Sequence, residues 1–294
     1  MNATTKNFGI VGFPWDGGAS LGRPGARYAP QAIRENAKWL QNRIQGGKVY
    51  NVETRELIDF NESKMIDYGD IDIVAYSTEA TFANAEKKIG DLLDQGVFPF
   101  ILGGDHSISY PGIKALHDRT KGNVAVIQFD THLDLVDDSP VQGKFSQSSQ
   151  MRRALELPRI RPEHIIQLGV RSYNYPWYAE YLKENGIVQI SAREIHRTSA
   201  DVIVERVLEA CKDADAIYLT FDIDVLEPAY APGSGANEPG GLTPVQCFDI
   251  LDQLYTKIDA MDIAEVNPLF DHQDITSSIG ARILFDCATT RTKG

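Results

Sequence analysis

Seven short segments of this chain are apolar on both faces: residues 8–13 (FGIVGF), 98–102 (FPFIL), 124–129 (VAVIQF), 164–170 (HIIQLGV), 187–191 (IVQIS), 216–221 (AIYLTF) and 258–266 (IDAMDIAEV). Between them lie stretches of helical periodicity, at 80–95, 110–118, 147–156, 175–185, 200–212, 244–257 and 275–288. Val202, Val204, Val207 and Leu208, with Ala210, make one such stripe. Strands apolar on both faces, separated by helices, require a parallel sheet covered on both sides, an α/β fold. No Pro/Gly/Ser-rich tether, low-complexity tract or repeat breaks the alternation, which predicts one domain over residues 1–294. The Gly/Pro-rich stretches 13–30 and 227–244 read as ordered loops over a site.

Three of the apolar runs end abruptly in acids and histidines. Residues 124–129 lead into FDTHLD, with Asp130, His132 and Asp134 at i, i+2 and i+4. If the strand runs on, period-two alternation puts all three on one face. Residues 216–221 lead into Asp222 and Asp224, and 98–102 into GGDHS with Asp105 and His106. Open parallel sheets bind ligands beyond the carboxyl ends of their strands, where these groups lie. Any one of these ends, taken singly, reads as a loop or a helix cap. Together, four buried carboxylates without cations would repel one another at a cost of several kcal/mol per ion, on the order of the usual desolvation penalty. Two divalent ions would neutralise them. Oxygen ligands with two imidazoles suit Mn²⁺ best, with Fe²⁺, Co²⁺, Ni²⁺ and Zn²⁺ also accommodated. With six side chains, His106, Asp130, His132, Asp134, Asp222 and Asp224, for two ions, some carboxylates must be shared.

Charge and composition limit the partners. The formal net charge of -12, from 41 acids and 29 bases, argues against nucleic acid or an anionic membrane surface and favours a cationic ligand. Cys211, Cys247 and Cys287 match no metal or redox spacing and read as reduced structural thiols of a cytoplasmic protein. The first residues carry no signal-peptide architecture, and no apolar stretch reaches the length of a membrane span.

The motifs GGDHS, FDTHLD, TFDIDVLEPAYAPG and NEPGGLT, with GRPGARYAPQAIRE before and IAEVNP after them, resemble the signatures of the arginase/agmatinase (ureohydrolase) family along nearly the whole chain. The resemblance implies one α/β/α domain with a mainly parallel eight-stranded sheet, assembled as a homo-oligomer, a trimer or a hexamer. It implies one metal on His106, Asp130, Asp134 and Asp222 and a second on His132, Asp130, Asp222 and Asp224, with Asp134 aiding proton transfer. Glu238 falls where the family places a carboxylate for the guanidinium of a small cationic substrate, a group that a carboxylate grips well. The implied reaction is hydrolysis of a guanidino C–N bond to urea and an amine.

The segment after FDTHLD looks like the agmatinase-type branch. Where that branch has a histidine before RRALE, Gln147 stands here, and no histidine occurs between His132 and His164. Glutamine cannot shuttle a proton by titrating, though it can hydrogen-bond a substrate. A substrate other than agmatine is therefore expected: a small or alkylated guanidine, or a guanidino acid. Tyr173, Tyr175, Trp177, Tyr178 and Tyr181 read first as packing for a helix start or a subunit interface, and second as a pocket wall. Arg171 is placed to meet a substrate carboxylate or to form a structural salt bridge. Two rival functions remain: a formimidoylglutamase-type hydrolase releasing formamide, and a non-catalytic subunit of a hetero-oligomer.

Overall fold

The computed structural model describes residues 7–19, 23–60, 64–138 and 140–292. In chain order the regular elements are β1 (Phe8–Gly12), α1 (Ala29–Gln41), β2 (Lys48–Asn51), β3 (Glu56–Asp59), β4 (Met65–Asp70), α2 (Thr78–Asp94), β5 (Phe98–Leu102), α3 (Ser109–Arg119), β6 (Val124–Phe129) and α4 (Gln150–Ala154). There follow β7 (Ile165–Val170), α5 (Tyr178–Asn185), β8 (Val188–Ser191), α6 (Ala192–Ile195), α7 (Ala200–Ala210), β9 (Ala216–Asp222), α8 (Pro244–Leu254), β10 (Ala260–Ala264) and α9 (Ile275–Thr292). Eight strands form one sheet in the order β4-β1-β5-β10-β9-β6-β7-β8, every pairing parallel, and β2 and β3 make a separate antiparallel pair.

The strands alternate as a doubly covered sheet demands. Ala125, Ile127 and Phe129 of β6 pack with α1, α7, α8 and α9, while Val124 and Val126 face the opposite layer with α3, α4 and α5. The same alternation sends Leu219 and Phe221 of β9 to one side and Tyr218 to the other. The result is a three-layer α/β/α sandwich.

Several elements differ from the pattern read in the sequence. The eighth strand, β4, lies at the sheet edge and is largely exposed, so it shows no apolar run. Its Asp67 and Asp70 instead pair with Arg34 of α1 at 2.8 and 2.6 Å. Helix α1, which was not read in the sequence, buries one stripe, Ala29, Ile33 and Ala37. The helix expected over 147–156 is confined to Gln150–Ala154. Upstream of it Ser149 Oγ accepts the Ser146 N–H at 2.9 Å and donates to the Lys144 carbonyl at 2.8 Å, so a side chain occupies the backbone groups a helix would use. No helix among the described residues is long and apolar enough to cross a membrane.

Candidate metal centre and active site

Beyond the carboxyl ends of β5, β6 and β9 the chain turns by one device used three times. An aspartate just past or at the strand end accepts the backbone N–H two residues on: Asp105 from Ser107 at 2.9 Å, Asp130 from His132 at 2.6 Å, and Asp222 from Asp224 at 2.8 Å. The turn brings the residue after the strand back toward the sheet axis. The expected pleated alternation does not extend past Phe129, where β6 ends. Asp134 reaches the cluster because its own backbone is left-handed, φ 51°. There its carbonyl accepts the first N–H groups of α4, from Met151 at 3.2 Å and Arg152 at 3.3 Å.

The six side chains His106, Asp130, His132, Asp134, Asp222 and Asp224 meet in one place. His106 Nδ1 lies 3.0 Å from Asp130 Oδ2, 3.0 Å from Asp134 Oδ2 and 2.9 Å from Asp222 Oδ2. His132 Nδ1 lies 3.2 Å from Asp224 Oδ2 and 3.4 Å from Asp130 Oδ1. Two groups could therefore each hold an ion, His106–Asp130–Asp222 and Asp130–His132–Asp224, with Asp130 common to both. Although surrounded at short range, His106 Nδ1 and Asp224 Oδ2 are buried and make no hydrogen bond of acceptable geometry. Close oxygens without directed hydrogen bonds suit donor atoms that converge on a cation.

Electrostatics agree with that fit. Burial opposes charge on His106, yet Asp222, Asp130 and Asp134 hold its pKa well above the ordinary imidazole value. His132 is pushed up to about 12, with Asp224 and Asp130 overcoming burial. Burial and then Asp130 raise Asp134 to about 7, and burial with Asp224 and Asp130 raises Asp222 well above a normal carboxyl. Asp130 moves down despite its burial, because His106 and His132 face it. Both imidazoles, Asp134 and Asp222 thus shift as they do in a cluster short of positive charge, and Asp130 is the exception.

A buried polar row holds the cluster from behind. Gln189, Gln167, Gln128, Thr220 and Asp262 stand in register on β8, β7, β6, β9 and β10. Gln189 Nε2 donates to Gln167 Oε1 at 2.9 Å, and Gln167 Nε2 to Gln128 Oε1 at 2.8 Å. Gln128 Nε2 then donates to Asp130 Oδ2 at 2.6 Å. Chemistry fixes these amide orientations: a carboxylate only accepts, so Gln128 must present its NH₂ there and its carbonyl to Gln167. From the other side Asp262 Oδ1 accepts from Thr220 Oγ1 at 2.7 Å, and Thr220 Oγ1 meets His106 Nε2 at 2.9 Å. Gln150 Nε2 donates to Asp134 Oδ2.

The centre opens into a cavity of about 410 Å³ whose inner lining includes Asp134, Asp222, Asp224 and Glu265. Glu238 and Gln147 both line it. Gln147 is held by its backbone N–H on the Gly18 carbonyl at 3.0 Å, and Gly18 N–H donates to Asp105 Oδ2 at 2.7 Å. Gly104 permits that closure, since a Cβ there would collide with the Trp15 backbone. Tyr173, Tyr175 and Tyr178 wall the cavity, whereas Trp177 stacks on Tyr178 with ring centroids 3.8 Å apart at the start of α5. The aromatic segment thus serves both expected purposes.

Arg171 serves neither of its expected ones. Its guanidinium donates to the carbonyls of Glu238 at 2.7 Å, Asp224 at 2.8 Å and Val225 at 3.1 Å. It bolts the Glu238 loop to the β9 turn. Asp137 pairs with Arg152 and Arg153 of α4. Glu265 escaped the sequence reading although it follows the apolar run of β10 as the other acids follow theirs. Its Oε1 accepts the His106 N–H at 2.8 Å, its φ is 62°, and burial, with Asp105 beside it, pushes its carboxyl up to about 8.

Fold and cluster together define an α/β enzyme with a carboxylate–imidazole centre at the carboxyl edge of a parallel sheet. The chain belongs to the arginase family, whose model matches residues 6–289. That family's members hydrolyse amidino and guanidino C–N bonds and use a binuclear divalent metal centre. A formimidoylglutamase of Halalkalibacterium halodurans is 32% identical over 289 residues, covering 95% of this chain and 85% of that protein. The mitochondrial agmatinase of Gallus gallus is 31% identical over 279 residues, 94% of this chain and 78% of its own. Among solved structures, a formimidoylglutamase from Bacillus subtilis superposes with a TM-score of 0.84 at 30% identity, over 97% of this chain and 87% of that one.

Proposed function

We propose that this enzyme hydrolyses a guanidino C–N bond, releasing urea and an amine. The observation that carries the reading is the convergence of six ligand-type side chains in which His106 Nδ1 and Asp224 Oδ2 are buried without hydrogen bonds. His106, Asp130, Asp134 and Asp222 would hold one divalent ion, and His132, Asp130, Asp222 and Asp224 the other, with Mn²⁺ best suited to the donor set. When bound, the pair supplies Lewis-acid activation of water near neutral pH.

The chain's own residues do the rest. Glu238 accepts the guanidinium N–H groups and turns the central carbon toward the centre, its loop fixed by Arg171. Gln147 contacts the substrate from the opposite loop as a neutral hydrogen-bonding group. Water adds to the central carbon, and Asp134, held by Gln150, takes its proton and delivers it to the departing amine nitrogen as the C–N bond breaks. The protein would act as a homo-oligomer, trimer or hexamer, in a reducing compartment such as the cytoplasm, where its three free, buried cysteines stay thiols.

The test loads the protein with Mn²⁺, counts ions per chain and assays urea across a panel of guanidines. Two ions per chain with urea release is the expected result. A relative named formimidoylglutamase supports a second reading, in which an amidine is cleaved instead. Formamide from N-formimidoyl-glutamate with no urea from any guanidine would select that one.

A further inference from the structure

We infer that the substrate of this enzyme carries no charge beyond its guanidinium, and that its remainder is a short uncharged alkyl substituent. The inference rests on the guanidino hydrolysis proposed above and asks what the outer cavity can hold.

The cavity divides by chemistry. Its inner end is acidic and, with Glu238, matches the head group. The rest of its lining includes Val136, Asn174, Tyr175 and Tyr178, the neutral Gln147 and the almost fully exposed Tyr173. Among the described residues lining it there is no lysine or arginine. Of the nearby cations, Arg171 directs its donors to backbone carbonyls, Arg152 and Arg153 pair with Asp137, Lys144 lies over the Phe145 ring, and the exposed Arg23 donates to the Gly235 carbonyl at 3.3 Å.

A carboxylate on the tail would meet a wall with no cation to pair with, a cost that disfavours guanidino acids. An ammonium on the tail would find the opposite lack, since the acids are at the inner end and serve the ions and the head group. An alkyl substituent loses nothing by desolvation and can pack against the aromatic residues Tyr175 and Tyr178 that line the cavity. The volume of about 410 Å³ exceeds what the guanidinium alone fills, so the substituent has room.

The test measures kcat/KM for urea release by the Mn²⁺-loaded full chain on methyl-, dimethyl- and propylguanidine, agmatine, 4-guanidinobutyrate and arginine. The alkylguanidines should exceed the charged compounds by about tenfold or more, the discrimination expected where a charge must be buried unpaired. Agmatine or 4-guanidinobutyrate as the best substrate would overturn the inference and leave the reaction class standing. Absence of urea from every guanidine, at full metal content, would overturn both. A Val136→Lys variant gives an independent reading: it should raise the ratio of 4-guanidinobutyrate to propylguanidine turnover by about tenfold by supplying the missing cation. An unchanged ratio in a folded variant would count against an outer wall that selects by charge.

Discussion

Replacing Gln128 by leucine tests whether the buried amide row sets metal affinity. In the native chain Gln128 Nε2 donates to Asp130 Oδ2 at 2.6 Å, and Asp130 is the carboxylate common to both ion-holding groups. Leucine fills a similar volume but removes that donor. A hydrogen bond to a charged group contributes about 1.5–3 kcal/mol. With metal bound, Asp130 must be ionised and fixed, so most of that loss falls on the bound form. At about 1.4 kcal/mol per decade this predicts a 10–100-fold weaker Mn²⁺ affinity, the range typical of groups that orient metal ligands. The fold should tolerate the change. Gln167 Nε2 loses Gln128 Oε1 but keeps the Leu133 carbonyl at 2.7 Å, so the metal-free melting temperature should move by no more than about 4 °C. Competition with a chromophoric chelator gives the affinity, and thermal unfolding without metal gives the stability. Gln189→Leu, at the far end of the row, should weaken affinity far less. Unchanged affinity in Gln128→Leu, or equal effects at both positions, would refute a directed relay.

Other consequences follow from the same geometry. Asp224→Asn should retain one ion per chain where Asp130→Asn retains neither, measured by elemental analysis, because Asp130 belongs to both groups and Asp224 to one. Glu238→Gln should keep full metal content while kcat/KM falls about 100-fold, a loss in line with removing one charged contact from a transition state. Arg171→Met should raise KM more than it lowers kcat, since the side chain fixes the Glu238 loop and touches no reacting atom. Asp286, on α9, is raised to about 6 chiefly by burial, against the 2.6 Å contact from Arg282. A carboxyl raised in the folded state contributes stability that is complete below its unfolded pKa near 4 and disappears as pH climbs through about 6. The parent should therefore lose up to about 3 kcal/mol from this group between pH 4 and 7, and Asp286→Asn should flatten that slope in thermal melts.

The chain shows its chemistry more readily than its architecture's edges. Asp130, His132, Asp222 and Asp224 were legible because each interrupts a buried apolar run, a contrast visible without coordinates. Glu265 carried the same signal after AMDIA. Gln128 and Gln167 did not, because one polar residue inside a strand has no meaning until register places it beside another 39 positions away. Asp134 was found for an incomplete reason: alternation predicted its face, but a left-handed backbone and the α4 N-terminus deliver it. Strand β4 was hidden because an exposed edge strand buries too little to generate a period. Arg171 was misread because a sequence shows a charge and not the carbonyls that consume it.

These differences explain how one scaffold can serve relatives named for different substrates at 31–32% identity. The metal-binding groups are set by strand ends and by a polar row that crosses five strands, so shifting one shifts the rest. The cavity's outer wall is built otherwise. The described residues of 133–148, and residues 171–177, form no regular element up to the start of α4 and α5, and local side-chain bonds such as Ser149 on Lys144 hold the first of them. Such a wall can exchange residues without disturbing the sheet, provided its anchors survive. In this chain those anchors are Arg171 on the Glu238 loop and Asp137 on the α4 arginines. Arg171 directs its donors to backbone carbonyls and Asp137 pairs with Arg152 and Arg153, so both hold the wall without lining it.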